Sequence, residues 1–236
     1  MFAAAFACST IFHYEHLKYL YGKCEQGIFV LFTPLTGEHT DRLKRHLQRN
    51  NVNFAHISDF MQSNQSADVL FSVYWQPSFL LLGSEILHAR VMYGYAKDQW
   101  NYANWNENYD VIFTYGPYAT DKLKRFAPCI ETGNPRAIIN NLISDHSLNN
   151  VSQISSRIKL LYCPTYGNLS SIAEFDEIIS DLVNYYSIAI KLHHLNDLNS
   201  HKNILRFHDK NVIDIYDEST NLFDLLPFFD LIIKSS

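Results

Sequence analysis

The sequence predicts an α/β protein of two lobes, each organised on a parallel β-sheet. Short apolar runs alternate with stretches whose apolar residues recur at helical spacing, on both sides of a polar segment. That segment, residues 144–156 (SDHSLNNVSQISS), contains no Gly or Pro and reads as a linker between lobes at residues 1–143 and 157–236. The clearest single unit runs from Arg157 to His194: RIKLLYCPTYG, NLSSIAEFDEIISDLVNYY, SIAIKLHH, a strand, loop, helix and second strand. At 236 residues the chain is long enough to bury two cores.

Taken in order, MFAAAFACSTIF is apolar but lacks the positive flank of a signal peptide and is too short to span a bilayer, so it reads as a first core strand. Residues 12–24 place Phe12, Leu17, Leu20 and Tyr21 at helical spacing, ended by Gly22. His13 and His16 are close enough to share a metal ion, but no Cys or carboxylate follows at ligand spacing; a half-exposed helix face is expected instead, and no metal site. Ile28–Phe32 is a strand and Glu38–Arg49 a charged helix with Leu43 and Leu47 inward. Residues 53–57 and 69–74 read as strands separated by a polar loop, Gln62–Ser66. Phe79–Leu82 and Ala89–Tyr93 are apolar runs around a Gly83–Glu85 turn. The loop that follows, from Tyr93 to Trp105, is dense in aromatic and amide side chains. It is a candidate face for a hydroxylated ligand, with a packed interdomain loop as the alternative. Residues 110–114 form a strand and 121–126 a short basic helix. Thr132-Gly-Asn-Pro-Arg136 is then a tight turn feeding a helix through Ile138, Ile139 and Leu142.

In the second lobe Ile158, Leu160, Leu161 and Tyr162 form a buried strand, and Ser171…Glu174 has the capping-box pattern before a helix with one apolar face. The strand Ile188–Leu192 delivers His193 to its carboxyl end, so that Thr165, Tyr166, Gly167 and His193 share one rim, where open α/β sheets bind ligands. After a polar stretch, residues 211–216 read as a strand, 221–228 as a short helix and 231–233 as a last strand.

The net charge of −5, without a compensating basic run, argues against a nucleic-acid partner. The four cysteines form no C-x-x-C pair and suit reduced thiols in a cytoplasmic protein. No G-x-G-x-x-G follows a strand, which sets aside an NAD-binding lobe; no cofactor is expected.

These motifs carry a resemblance. CPTYG before a helix and KLHH after the next strand resemble the donor-binding domain of the CDP-glycerol glycerophosphotransferase family. Thr132-Gly-Asn-Pro-Arg136 is similar to that family's GxPR segment, and Leu225-Leu226 with Asp230-Leu-Ile-Ile-Lys-Ser-Ser236 to its LL…DvlIsDySS segment. The resemblance implies an α/β fold of two Rossmann-like lobes (GT-B type), acceptor-side first and donor-nucleotide-binding second. It also implies a second lobe incomplete at its C-terminus, since the family continues past the Ser pair. The implied activity is transfer of a glycerol-phosphate or sugar unit from a nucleotide-activated donor such as CDP-glycerol to a polyol or saccharide acceptor, a cell-surface polymer such as teichoic acid. Donor contacts would be Thr165, Tyr166, Gly167, Arg136, Ser235 and Ser236, with His193 as phosphate ligand or proton carrier, roles that suit a histidine. On the acceptor side stand Tyr93, Gly94, Lys97, Trp100, Tyr102 and Trp105. Gly94 and Lys97 match the family's HG-T-x-x-K, but Tyr93 stands where its catalytic histidine is expected. The alternative is a truncated, non-catalytic remnant or binding protein of the same family. A cytoplasmic location is implied, with peripheral association at the inner membrane face, and the incomplete sheet implies self-association.

Overall fold

The computed structural model describes residues 3–63, 66–94, 98–135, 157–167, 170–193, 198–217, 220 and 222–234. The chain divides into two compact units, Met1–Leu142 and Ile143–Ser236.

The first unit alternates strands and helices: β1 (Ala3–Cys8), α1 (Ile11–Tyr21), β2 (Gln26–Leu31), α2 (Glu38–Arg49), β3 (Phe54–His56), α3 (Ile57–Gln62) and β4 (Val69–Ser72). A 3₁₀ turn (Pro77–Leu82) leads to β5 (Leu87–Val91), and α4 (Asp98–Asn101) with a second 3₁₀ turn (Asn104–Asn108) leads to β6 (Val111–Thr114). Helix α5 (Pro117–Leu123) and β7 (Cys129–Glu131) complete it. All pairings are parallel, in the order β3-β2-β1-β4-β5-β6-β7. The alanine-rich β1, third of the seven strands, is buried on both faces. Ala4, Phe6 and Cys8 pack with Leu17 of α1 and Leu43 and Leu47 of α2, while Ala5 and Ala7 meet Phe60 of α3 and Phe79. A strand covered on both faces by helices needs apolar residues at every position, and β1 supplies them.

The second unit contains β8 (Ile158–Cys163), α6 (Ile172–Leu182), β9 (Tyr186–Lys191), α7 (Lys202–Asp209), β10 (Ile213–Tyr216), α8 (Leu222–Leu225) with a following 3₁₀ turn, and β11 (Leu231–Lys234). Its sheet is also parallel, in the order β10-β9-β8-β11. Counted within each unit, both sheets begin 3-2-1-4. Leu160 and Tyr162 face α6 and α7, and Leu161 faces α8.

Several expectations are corrected. His13 and His16 are 3% and 0% exposed, not half-exposed, because Ser9 and Tyr74 meet His13, and Tyr93 and Tyr115 meet His16. Helix α3 begins at Ile57, where the strand 53–57 was expected to end, α7 occupies part of the polar stretch after His194, and β7 is a strand. Phe79–Leu82 belongs to a 3₁₀ turn, and α5 starts at Pro117 rather than Asp121. The capping box does not form. Ser171 is the N-cap of α6, but its Oγ hydrogen-bonds the Tyr162 hydroxyl (2.8 Å) and no side chain caps the helix. The helix expected through Ile138 and the linker 144–156 lie outside the described residues.

Candidate functional site

In an open parallel sheet, ligands bind outside the carboxyl ends of the strands where the strand order reverses direction. In the second unit that point lies between β8 and β11. Strand β8 ends at Cys163, and the loop Pro164–Gly167 passes over the rim. Gly167 adopts φ +65°, a left-handed conformation that glycine takes without steric cost, and its carbonyl accepts from the Ser170 N–H (3.0 Å), turning the chain toward α6. Strand β9, paired with β8, ends at Lys191 and carries Leu192 and His193 onto the same rim. There the His193 ring stacks on Tyr166, centroids 4.4 Å apart and planes 26° from parallel. Tyr166 and Gly167 are exposed, Thr165 and His193 half-buried. The structure therefore brings Tyr166 and His193 into contact, with Thr165 and Gly167 in the same loop.

Two lysines join them. Lys234 of β11 is in register with Cys163, and Lys191 follows Ile190, which is opposite Tyr162. Burial raises the pKa of the Cys163 thiol, while Lys191 and Lys234 act in the opposite direction. Positive potential thus reaches the rim from both neighbours of β8. Lys191 belongs to the KLHH motif, but its placement beside Cys163 needed the strand order. Arg136, Ser235 and Ser236 lie outside the described residues.

In the first unit the reversal lies between β1 and β4. Ser9, just past β1, is the hub. Its N–H donates to Nδ1 of His13 (3.0 Å), its Oγ donates to the Phe32 carbonyl (3.1 Å) and accepts from Nε2 of Gln76 (3.1 Å), and Nε2 of His39 meets its carbonyl (3.0 Å). Accepting at Nδ1 places the proton of a neutral His13 on Nε2. The His13 ring stands edge-on to Tyr74 at 4.8 Å. This cluster joins Ser9 and His13 to Phe32, His39 and Gln76, which are distant in sequence, and no local spacing announces it.

The acceptor-side residues divide. Tyr93 is half-buried and packs edge-on to Phe12 (5.6 Å), His16 (6.0 Å) and Trp100 (6.1 Å). Tyr102 is 7% exposed and belongs to the core under α5, so it presents no ring face. Trp100 is 40% exposed and touches Tyr74 and Trp105 at 5.4 and 4.9 Å. Trp105 donates its indole N–H to the Trp100 carbonyl (2.9 Å) and covers the guanidinium of Arg90 at 4.5 Å. Gly94 follows β5 and its carbonyl accepts from the Asn101 amide at 3.4 Å. Lys97 lies outside the described residues.

Arg90 went unnoticed in the sequence. It is 0% exposed, and its donors meet the carbonyls of Val73 (3.4 Å) and Asn101 (2.9 Å) and the side-chain oxygens of Asn106 (2.6 Å) and Asn101 (3.1 Å). Every one of these acceptors is neutral, and burial lowers its pKa to about 10. Arg90 fixes the aromatic loop from beneath.

No family model matches the sequence, and no curated protein matches it. Solved structures do. A structure of the wall teichoic acid polymerase TagF with CDPG aligns with a TM-score of 0.58 at 16% identity, over 99% of this chain. A UDP-N-acetylglucosamine 2-epimerase aligns at 0.56 and 12%, over 100% of this chain and 74% of its own. The fold is GT-B. The two parallel sheets are its two Rossmann-like lobes. The chain spans 65% of the length of the teichoic acid polymerase structure. Among the described residues no helix is long and apolar enough to cross a membrane.

Proposed function

We propose that the chain is a GT-B transferase that takes a glycerol-phosphate or sugar unit from a nucleotide-activated donor such as CDP-glycerol. It would pass that unit to a polyol or saccharide acceptor of a cell-surface polymer. The observation that carries this reading is the rim of the second sheet, where His193 stacks on Tyr166 above a left-handed glycine with Lys191 and Lys234 flanking β8. With CDP-glycerol, the acceptor hydroxyl oxygen would attack the phosphorus that bears glycerol. The bond from that phosphorus to the bridging oxygen breaks, CMP leaves with the electron pair, and the hydroxyl proton passes to a base. Such a reaction requires fixed positive charge where the leaving phosphate develops its own. The two lysines and the N–H groups of the Thr165–Gly167 loop suit that role, and His193 suits that of phosphate ligand. The similarity in fold to the TagF structure with CDPG and to a UDP-N-acetylglucosamine 2-epimerase supports a nucleotide-linked donor.

A second reading, a binding protein without turnover, draws on one specific observation. At the position where the resemblance places a catalytic histidine, Tyr93 is locked among Phe12, His16 and Trp100. Calorimetric titration of CDP-glycerol and CDP into wild type and His193→Ala tests the donor site, and release of CMP with an acceptor polymer tests turnover. We expect His193→Ala to weaken both ligands by roughly ten-fold or more, as for loss of one charge-assisted contact. Equal affinity for wild type and variant would remove His193 from the site; binding without CMP release would favour the second reading.

A further inference from the structure

A cavity of about 260 Å³ lies in the first unit where β5 and β6 begin, at the end of the sheet opposite the carboxyl rim. His88, the second residue of β5, forms its floor. The residue is in register with Leu70, on the face that carries α3, and the Phe79 ring stands edge-on to its imidazole at 6.0 Å. His88 is 8% exposed, yet among the described residues nothing hydrogen-bonds its ring. Its backbone N–H donates to Oδ2 of Asp110 (2.7 Å), and that bond sets the exposed carboxylate at the edge of the cavity, just before β6. Leu80, 69% exposed, and Ile86 give apolar walls. Gly83 leaves the 3₁₀ turn at φ +88°, and a Cβ there would meet nothing within 4 Å, so this side of the cavity is open.

A buried imidazole without a protein partner is completed by solvent or by a ligand, because burying it unsatisfied is costly. Burial lowers the pKa of His88, against the pull of Asp110, so at neutral pH the ring offers one N–H and one lone pair. Asp110 keeps acceptor sites beyond its one bond, and no lysine or arginine lines the cavity. An anion would meet the carboxylate with no cation to offset it, whereas a cation finds both a counter-charge and a second acceptor. The geometry points to a binding site for a small organic cation, a primary ammonium carried on an apolar body. The ammonium donates to the Asp110 carboxylate and to the His88 lone pair, and the body packs between Leu80 and Ile86. The volume falls below the ~300–1,000 Å³ of sites for larger ligands, so a single ring or a short alkyl chain is the size it admits. This site stands at the opposite end of its strands from the carboxyl rim, and it holds or fails without the transferase reading.

Titration of benzylammonium into the 236-residue chain, with isotope-labelled histidine observed by NMR, tests it. The titration is run at about pH 7.5, above the free imidazole value of ~6.5. The His88 ring signal is identified by its loss in His88→Leu. In wild type that signal is expected to shift saturably with a Kd of about 1 mM, the order for a fragment held by one ion pair and a small apolar contact. Benzyl alcohol, similar in shape without the charge, should bind about ten-fold more weakly or worse, and benzoate should not bind. Asp110→Asn should weaken benzylammonium by about ten-fold and leave benzyl alcohol unchanged. Circular dichroism checks that each variant is folded. If Asp110→Asn is not, Leu80→Asn, at an exposed position, decides, and should weaken both probes several-fold. A His88 signal that does not shift up to about 20 mM benzylammonium, far above that Kd, would overturn the proposal. So would equal affinity for the alcohol, binding indifferent to these substitutions, or shifts spread evenly over the other histidines.

Discussion

Replacing Arg90 with Met should loosen the first lobe and release its aromatic loop. The side chain is wholly buried, and Met keeps much of its apolar stem while removing the guanidinium. Four acceptors lose a donor: the carbonyls of Val73 and Asn101 and the side-chain oxygens of Asn101 and Asn106, though the Asn101 carbonyl keeps the bond from the Asn106 amide (3.0 Å). A buried polar group left unsatisfied costs about 1–3 kcal/mol. The stack on Trp105 adds roughly 1–2 kcal/mol. Against this, a charge with only neutral partners no longer has to be desolvated, and the Asn side chains can turn toward water. The net expected loss is about 3–5 kcal/mol, the range for breaking a buried charged network. All three tryptophans, Trp75, Trp100 and Trp105, lie in the first unit, so indole fluorescence during urea unfolding reports on that unit alone. Arg90→Met should lower the midpoint and red-shift native emission as Trp105 loses its cover. Arg90→Lys, which keeps charge but not the planar fork, should fall between. An Arg90→Met protein within about 1 kcal/mol of wild type, too little for even one orphaned acceptor, would refute the reasoning, all the more with unchanged emission.

Two further tests concern single contacts. Ser171→Ala strands the hydroxyl of Tyr162, itself 1% exposed, and should cost about 1–2 kcal/mol. The same change in a Tyr162→Phe background should cost much less, and Glu174→Ala, which would break a capping box, should be near neutral by denaturant titration. Burial lowers the pKa of His88, with Asp110 opposing, so the folded state binds its proton less readily than the unfolded chain. Its stabilising contribution is complete above the unfolded pKa of ~6.5 and is lost as pH falls through the lower folded value. Wild type should therefore lose stability on acidification below that point, and His88→Leu should show a shallower decline in its urea midpoint.

What was legible in the sequence was what local pattern controls. The span Glu38–Arg49 emerged as expected because Leu43 and Leu47 mark one inward turn among charged neighbours. The strands of the second unit, and the convergence of Tyr166 with His193, followed from one strand–helix–strand unit whose topology leaves little choice. Helix α7 was missed because its amino terminus is satisfied from a distance: Asp176 of α6 accepts from the Ile204 N–H (2.7 Å), and no residue at its own start caps it. Helix α3 was missed because His56, a residue seldom found as an N-cap, accepts from the Ser58 N–H. The false capping box failed by competition, since Tyr162 holds the Ser171 hydroxyl. Arg90 was hidden inside an apolar run because its acceptors, Asn101 and Asn106, come from a loop that reads as a ligand face.

That reassignment bears on where an anionic donor would sit. Arg90 lies against the aromatic loop, yet it is spent on amide and carbonyl oxygens and has no exposed surface to offer a phosphate. The second sheet uses its cations differently. Lys191 is half-buried and Lys234 exposed, at the carboxyl rim on either side of the strand that carries the Pro164–Gly167 loop. A diphosphate arriving there would gain charge neutralisation without first breaking a buried network, whereas at Arg90 it would have to displace four acceptors. Trp100, in contrast, is an exposed ring of the first unit's loop, and it carries no charge. Under the proposed function, the open indole of Trp100 would suit a polyol or saccharide and the lysine-flanked rim of the second sheet an anionic donor.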